Sequence, residues 1–351
     1  MKHNKRFTID LRTLSLFSPS CKCVELIPDL IDRGYDIKIL GRDWNADKEN
    51  GLTFDKKNNI FRKGGSKFLW DANVHPRDFY INLISSTFQN IDYIESNNLN
   101  KISYLYYIKS IFSPRYYNHL HYISLFMEKN ETKRYINQKL NSLVSGKSVR
   151  SVIAFLYNYL NIKLVLKFKI KPKSKGFRYK LSPKLLDKNV KQFIKKAQNE
   201  NTKYILILPN WDDDGKYEKQ KDRLRGILHS ESEFESMVNF VKEVDKYALK
   251  GKCKFILASK KAVDWPKIIK SNYLDLREFE KYGFTLSQTI YILQELTSMT
   301  INWPCTFSMW MTNCSEILHL TWCDNKDTAA WTRNNLHKLP AIKALSLIGI
   351  E

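Results

Sequence analysis

A proline, a threonine and a serine follow an apolar run late in the chain, and their spacing suits a phosphate group. Pro304 would end a strand, because proline cannot donate to the next strand. Thr306 can cap the helix predicted over 306–314. A helix N-terminus carries free N–H groups and partial positive charge, so the backbone of Phe307 and Ser308 would suit a diphosphate. The alternative is an ordinary capped helix without a ligand.

Alternating strands and helices predict the sheet that must position this segment. In the second half of the chain, strands are predicted over 204–208, 253–258, 273–276, 299–303 and 316–321, with helices between them. The chain also opens with a strand–helix–strand unit, whose strands are predicted over 7–11 and 35–40. Such alternation is typical of parallel α/β sheets with right-handed crossovers. A linker predicted over 171–184 separates the two halves.

Loops at the carboxyl ends of these strands hold the other candidate ligand contacts, because open parallel sheets bind ligands there. Arg223 and Arg225 lie in the loop after the first strand of the second half. A guanidinium binds phosphate bidentately, so these two are the favoured partners of a diphosphate. Ser259 and Lys260 follow the next strand.

Two α/β halves with a strand–Pro–x–Thr–helix unit near the end resemble the GT-B class of glycosyltransferases. The resemblance is one of pattern and covers most of residues 1–42, through FTIDLRTLSLFSP and RGYDIKILG, and of 200–325, through TINWPCTFS. The glycine-rich first loop common in the class is absent. The resemblance implies two Rossmann-like domains facing across a cleft. These are an acceptor domain with irregular helical insertions (1–175) and a nucleotide-sugar donor domain (176–351), whose last helix packs back on the first.

The resemblance also implies a reaction: transfer of a sugar from a nucleotide-sugar donor to a lipid-linked, lipopolysaccharide or polysaccharide acceptor, without a metal ion or cofactor. Nonhydrolysing nucleotide-sugar epimerases share the fold and stay an alternative. An inverting transfer needs a base, for which Asp10 and His75 are the candidates. Glu278 and Glu280 stand where an acid of this class contacts the ribose. A purely structural role is the alternative for each of these residues.

Positive charge is concentrated in the middle of the chain. The net charge is +22, and the segment 163–196 holds 13 Lys and Arg residues against one acid, Asp187. Such a block attracts anionic lipid, nucleic acid or phosphorylated substrates. With the resemblance, it predicts a cytoplasmic protein held on the inner face of the membrane. The alternative is nucleic-acid binding, with Phe168, Phe177 and Tyr179 stacking on bases, although no RRM, KH or zinc-finger pattern occurs.

Composition narrows the class of protein further. The 351 residues are 43% hydrophobic, which suits two domains of ordinary size. The six cysteines form no CxxC pair, which favours reduced thiols. No signal peptide or transmembrane segment is predicted. The acidic run 212–214 is interpreted as a turn and not as a metal site.

Overall fold

The computed structural model describes the chain in separate segments. These are residues 5–10, 24–42, 53–55, 60–62, 80–89, 91–96, 115–118, 176–208, 231–257, 265–276, 279, 282–302, 310–311, 313–314, 316–322, 335–337 and 339–351. Contacts group the chain into two compact units, a first of Met1–Asn50 with Phe88–Lys175 and a second of Gly51–Thr87 with Gly176–Glu351. The domain bounds predicted from the sequence stay a prediction.

Strands and helices are numbered in chain order. The described strands are β1 (Lys5–Asp10), β2 (Tyr35–Arg42), β3 (Thr53–Asp55), β4 (Ile60–Arg62), β5 (Ile91–Ser96), β6 (Tyr116–Asn118), β7 (Lys203–Leu208), β8 (Cys253–Leu257), β9 (Tyr273–Asp275), β10 (Thr297–Asn302), β11 (Leu318–Thr321) and β12 (Asn335–His337). The described helices are α1 (Ile27–Asp32), a π-helical turn (Tyr80–Ile84) leading into α2 (Ser85–Thr87), α3 (Lys188–Asn199), α4 (Glu231–Ala248), α5 (Trp265–Ile268), α6 (Leu286–Leu296) and α7 (Ala341–Leu347).

The first unit contains a parallel sheet with the strand order β5–β2–β1–β6. Helix α1 lies between β1 and β2 in sequence and buries Ile27 and Leu30. Gly34 follows it with a φ of +76°, a left-handed conformation that glycine adopts without a steric penalty. The strand–helix–strand unit predicted at the start of the chain is therefore confirmed.

The second unit contains a parallel sheet with the strand order β12–β11–β10–β7–β8–β9. Five consecutive residues of β7, Tyr204 to Leu208, are buried. Continuous burial of this kind is typical of a parallel strand that is covered on both faces. The predicted α/β class with parallel sheets is confirmed, and each of the five strands predicted in this half is present.

Helices α4 and α7 cover one face of this sheet. They pack over the strand residues Ile205, Ile207, Phe255 and Ile301, which belong to one buried core with residues of both helices. Helix α7 contributes Ala344 and Leu345 to that core and contacts α4. The last helix therefore packs within the second unit, and its predicted packing on the first domain stays a prediction.

Helices α3 and α6 pack against each other on the opposite face. Helix α6 connects β9 to β10, which runs back across the sheet, so a right-handed crossover places it opposite α4. Thr285 caps α6: its side chain accepts from Gln288 N at 3.2 Å, and Gln288 Oε1 accepts from Thr285 N at 2.8 Å. This reciprocal capping box fixes the start of α6.

The linker predicted over 171–184 is instead packed against the second unit wherever the structure describes it. Tyr179 is 1% exposed, and its backbone N–H donates to Gln294 Oε1 at 2.9 Å. Its hydroxyl accepts from Asn313 Nδ2 at 2.7 Å. A ring buried in this way is closed to bases, so the predicted stacking role of Tyr179 is wrong.

Arg178, in the described part of the segment 171–184, forms hydrogen bonds and ion pairs with two carboxylates. Its Nε donates to Glu316 Oε2 at 2.6 Å, and its Nη1 lies 3.3 Å from Glu295 Oε1. These contacts join residues before α3 to the end of α6 and to the turn before β11. Because charge-assisted bonds of this kind are stronger than neutral ones, Arg178 contributes to the stability of the second unit.

We expect Arg178→Met to lower the free energy of unfolding by about 1–2 kcal/mol, since a methionine keeps the packing of the stem and loses every charged hydrogen bond. Arg178→Lys should lose less, because one ammonium can still reach one carboxylate. A urea titration measures both changes. Equal stability of Arg178→Met and the wild type would show that solvent screens these pairs completely.

Two absences apply to the described residues alone. No helix among them is long and apolar enough to span a bilayer. Within the same residues, no three His, Cys, Asp or Glu side chains are grouped so that they could hold a metal ion.

Candidate functional site

The strand order in the sheet of the second unit reverses between β7 and β10. Counted from β7 as the first, its strands lie in the order 3-2-1-4-5-6. In sheets of this order the connections on either side of the switch point leave in opposite directions, and a crevice opens beyond the carboxyl ends of the two strands. Leu208 and Asn302, the last residues of β7 and β10, are partners in register. This edge is the candidate site.

Asn302 closes the described part of β10 with a buried, fully engaged side chain. Its Nδ2 donates to Thr300 Oγ1 at 3.0 Å, and its Oδ1 accepts from Thr321 Oγ1 at 3.2 Å. Its backbone carbonyl accepts from Trp322 N at 3.1 Å. Both ends of the amide are used within the protein, so Asn302 fixes the end of the strand and is not itself offered to a ligand.

The hydrogen bonds of Asn302 continue into a chain that ends at a backbone carbonyl. His319 Nε2 lies 2.9 Å from the carbonyl oxygen of Cys314, which can only accept, so Nε2 carries the proton. His319 Nδ1 must then accept, and Thr300 Oγ1, at 2.8 Å, donates to it. Every donor in the chain therefore faces an acceptor, and the chain ties β10 to β11 in one register.

Near neutral pH the lowered pKa of His319 makes its ring neutral in the folded protein. Its side chain is 0% exposed, and burial lowers its pKa to about 4 although the Cys314 carbonyl partly opposes the shift. A base for catalysis near neutral pH has a pKa close to 7 and contact with the substrate. His319 has neither, so it acts as a positioning residue for the strands that reach the candidate site.

The first unit has a switch point of its own. Counted from β1, its strands lie in the order 3-2-1-4, and the reversal falls between β1 and β6. Asp10 is the last residue of β1 and is partnered in register with Asn118 of β6. The backbone of Asp10 thus lies at a strand end beside a switch point, while its side chain is outside the described residues.

The other predicted site residues also lie outside the described residues. They are His75, Arg223, Arg225, Ser259, Lys260, Glu278, Glu280, Pro304, Thr306, Phe307 and Ser308. Apart from His75, they follow described strands of the second unit in the sequence: β7 ends at Leu208, β8 at Leu257, β9 at Asp275 and β10 at Asn302. Their roles stay predictions, and so does the interpretation of 212–214 as a turn.

The polar chain between β10 and β11 was not predicted from the sequence. A signal for it exists, because polar residues occupy alternate positions in both strands: Thr300 and Asn302 in one, His319 and Thr321 in the other. Alternate residues of a strand point to the same face. Two polar pairs on neighbouring strands therefore indicate a buried hydrogen-bonded set once the strands are known to be adjacent.

Comparison with known proteins gives little beyond this geometry. No protein-family model matches the chain, and no curated protein sequence matches it. Among solved structures, the chain is similar to the glycosyl transferase family 9 protein from Veillonella parvula DSM 2008, at 8% sequence identity and a TM-score of 0.40. The match covers 99% of this chain and 91% of that chain. A likeness of this degree does not tell what the chain binds.

Proposed function

We propose that this chain is a glycosyltransferase that takes a sugar from a nucleotide-sugar donor. The observation that carries the proposal is the strand order of β7 to β12, which gives the second unit a nucleotide-type switch point between β7 and β10. The segment Pro304-Cys305-Thr306-Phe307-Ser308 follows β10 after one residue. Its residue types suit a diphosphate at that edge.

In this proposal the donor is held by groups that follow the strands of the second unit. Backbone N–H groups of Phe307 and Ser308 and the hydroxyls of Thr306 and Ser308 bind the diphosphate. Arg223 or Arg225 offsets its negative charge as it leaves. The remaining predicted contacts to the donor are Ser259, Lys260, Glu278, Glu280 and Pro304.

The proposed reaction is an inverting displacement at the anomeric carbon. Asp10 or His75 takes the proton of the acceptor hydroxyl, and the acceptor oxygen forms a bond to that carbon. The bond from the carbon to the diphosphate oxygen breaks, and the nucleoside diphosphate leaves with the electron pair. No metal ion is needed in this scheme, because cationic side chains and helix N–H groups offset the charge.

The predicted arrangement belongs to the same proposal. The first unit would bind a lipid-linked, lipopolysaccharide or polysaccharide acceptor, and the two units would face each other across a cleft. The protein would work in the cytoplasm beside the membrane. What supports the acceptor role of the first unit is that its sheet, like that of the second, has a switch point next to its first strand.

We expect the double substitution Thr306→Ala with Ser308→Ala to weaken nucleoside diphosphate binding about 10- to 100-fold, since each hydroxyl would lose a hydrogen bond to a charged group. Isothermal titration calorimetry measures the change. The matched control is Thr202→Ala with Ser346→Ala, which removes the same two hydroxyls from residues before β7 and at the end of α7. Equal affinities of the two double variants would contradict the proposed contacts.

Turnover of a panel of nucleotide sugars tests the reaction. Acceptor-dependent release of the nucleoside diphosphate supports glycosyl transfer. An isomerised nucleotide sugar without acceptor would replace the proposal with an epimerase. Failure to bind any nucleotide would overturn both, and tight binding to RNA or DNA instead would favour the nucleic-acid alternative.

A further inference from the structure

The hydrogen bonds of the polar chain between β10 and β11 all point in the same direction. Thr321 Oγ1 donates to Asn302 Oδ1, and Asn302 Nδ2 donates to Thr300 Oγ1. Thr300 Oγ1 in turn donates to His319 Nδ1, and His319 Nε2 donates to the carbonyl oxygen of Cys314. Hydrogen bonds that follow one another in this way polarise each other, so each is stronger than it would be alone.

The polar chain leads from the carboxyl edge of the sheet to its amino edge. Asn302 is the last residue of β10, whereas Cys314 comes before the start of β11. Because β10 has six residues, it is about 16 Å long. The next contact is made by Asn313, the residue before Cys314. Its backbone carbonyl accepts from Phe177 N at 2.7 Å, and its Nδ2 donates to the hydroxyl of Tyr179 at 2.7 Å.

Phe177 and Tyr179 belong to a strap, residues 176–182, by which the protein enters the second unit. The first unit ends at Lys175, and the second unit resumes with the strap. Tyr179 is the buried side chain at the centre of the strap. Through Asn313, the strap is therefore held at the end of the polar chain that is remote from the candidate site.

Every side chain on this route is buried. The residues with 0% exposure are Thr300, Asn302, Asn313, His319 and Thr321. Water does not replace a lost partner at such positions, so a break at one residue leaves its neighbour unsatisfied. Among the described residues, the Oδ1 atom of Asn313 has no hydrogen-bond partner, so its side chain is held through the bond to the strap.

We propose that the polar chain couples the candidate site to the strap, so that a ligand at the carboxyl edge of the sheet also holds the strap. The coupling rests on the proposed function, because that ligand is the nucleoside diphosphate. Its binding after Asn302 would fix the end of β10, and the polar chain would then fix the peptide groups next to Asn313. Such coupling is reciprocal: a loosened strap weakens ligand binding by the factor by which the ligand tightens the strap.

Hydrogen exchange of the full-length protein without a ligand tests the polar chain itself. Thr300→Val removes the hydroxyl in the middle of the polar chain and should speed exchange of the Phe177 and Tyr179 amides about tenfold. Thr300→Ser keeps a hydroxyl and should restore both rates to within about threefold of the wild type. The matched control is Thr297→Val on the same strand, since Thr297 is buried and its Oγ1 has no partner among the described residues.

Thr297→Val should leave the exchange of the strap amides within about threefold of the wild type. The amides of Ala344 and Leu345 in α7 are the internal reference, because this short helix lies outside the polar chain and opens locally. Thr300→Val should change their exchange less than about threefold. Equal acceleration in α7 and in the strap, or none in the strap, would overturn the coupling.

Addition of a saturating nucleoside diphosphate tests the coupling from the candidate site. Exchange of the Phe177 and Tyr179 amides should slow about tenfold in the wild type and less than about twofold in Thr300→Val. Equal slowing in the two proteins, or no slowing in a wild type that binds the nucleotide, would overturn the coupling and leave donor binding intact. Failure of every nucleotide to bind would instead overturn the proposed function, and the exchange rates without a ligand would then decide on the polar chain.

Tyr179→Phe tests the coupling from the strap. The variant keeps the ring and loses the hydroxyl that accepts from Asn313. Its affinity for the nucleoside diphosphate in isothermal titration calorimetry should fall about fivefold, although the lost hydroxyl lies at the opposite edge of the sheet from the ligand. An affinity equal to that of the wild type would overturn the coupling.

Discussion

Asp245→Ala is expected to lower the free energy of unfolding by about 3–5 kcal/mol, because three donors share its buried carboxylate. Asp245 lies on α4 and is 4% exposed. Its Oδ2 accepts from Lys270 N at 2.8 Å, and its Oδ1 accepts from Ser271 N at 3.2 Å and Ser271 Oγ at 2.5 Å. Alanine would leave these donors, of which the two from Ser271 are buried, without their acceptor, at a cost of about 1–3 kcal/mol for each buried donor before relaxation.

Urea titration of matched variants isolates this effect. Glu243→Ala is the control, because Glu243 lies on the same helix but is exposed, and within the described residues its one ion pair is with Lys246, at 2.8 Å. An exposed i,i+3 pair is worth less than about 0.5 kcal/mol. Asp245→Asn should fall between the two, since an amide offers a single acceptor oxygen to three donors. Similar losses in Asp245→Ala and Glu243→Ala would contradict a structural role for the buried carboxylate.

The second large effect is a loss of stability in acid that depends on His319. Burial lowers the pKa of His319 to about 4 in the folded chain, against an ordinary value of 6.5 in the unfolded chain. Between these values the unfolded chain binds a proton that the folded chain does not. Acid therefore favours unfolding. The contribution of His319 to the free energy of unfolding is fully present above pH 6.5, falls as the pH is lowered, and is lost by about pH 4. The difference amounts to about 3 kcal/mol.

His319→Gln separates this effect from other titrations. Glutamine cannot take up a proton. Between pH 7 and pH 4, the free energy of unfolding of the variant should therefore fall by about 3 kcal/mol less than that of the wild type. At pH 7 the variant should be less stable, since Thr300 loses its acceptor at 2.8 Å. Titration of carboxylates is common to both proteins and cancels in the difference. Equal pH dependence of the two would show that the folded chain protonates His319 as readily as the unfolded chain does, and would contradict the lowered pKa.

The sequence predicted five strands of the second unit, β7 to β11, because each is a short apolar run bounded by turn residues. The start of α6 also has a local signal in the sequence, since Gln288 follows Thr285 by three residues, the spacing of a capping box. Helix α3 was missed, although Asp187 could be read as an N-cap and Val190 and Ala197 have helical spacing. The apolar residues of α3 are few and stand among many lysines in the segment 163–196, so their helical spacing gives only a weak signal.

The order of the strands in the sheets could not be predicted from the sequence, and the candidate site depends on that order. Which strands are neighbours is set by contacts between distant residues, so the reversal between β7 and β10 could not be derived from local patterns. For the same reason the pairing of Thr300 with His319 was not predicted. The edge strand β12 was missed because the three residues Asn335 to His337 have no apolar run. Asp10, in contrast, lies within the strand predicted over 7–11 and is the last residue of β1, while its chemical role is still a prediction.

The proposed function depends most on the binding of a nucleoside diphosphate at the switch point of the second unit. A crystal structure of the full chain with the tightest-binding member of a nucleoside diphosphate panel shows where that ligand lies. We predict that the diphosphate lies beyond the carboxyl ends of β7 and β10, within hydrogen-bond distance of backbone N–H groups that follow Asn302. A diphosphate bound at the amino ends of these strands or on another surface, or no binding by any member of the panel, would contradict the proposal.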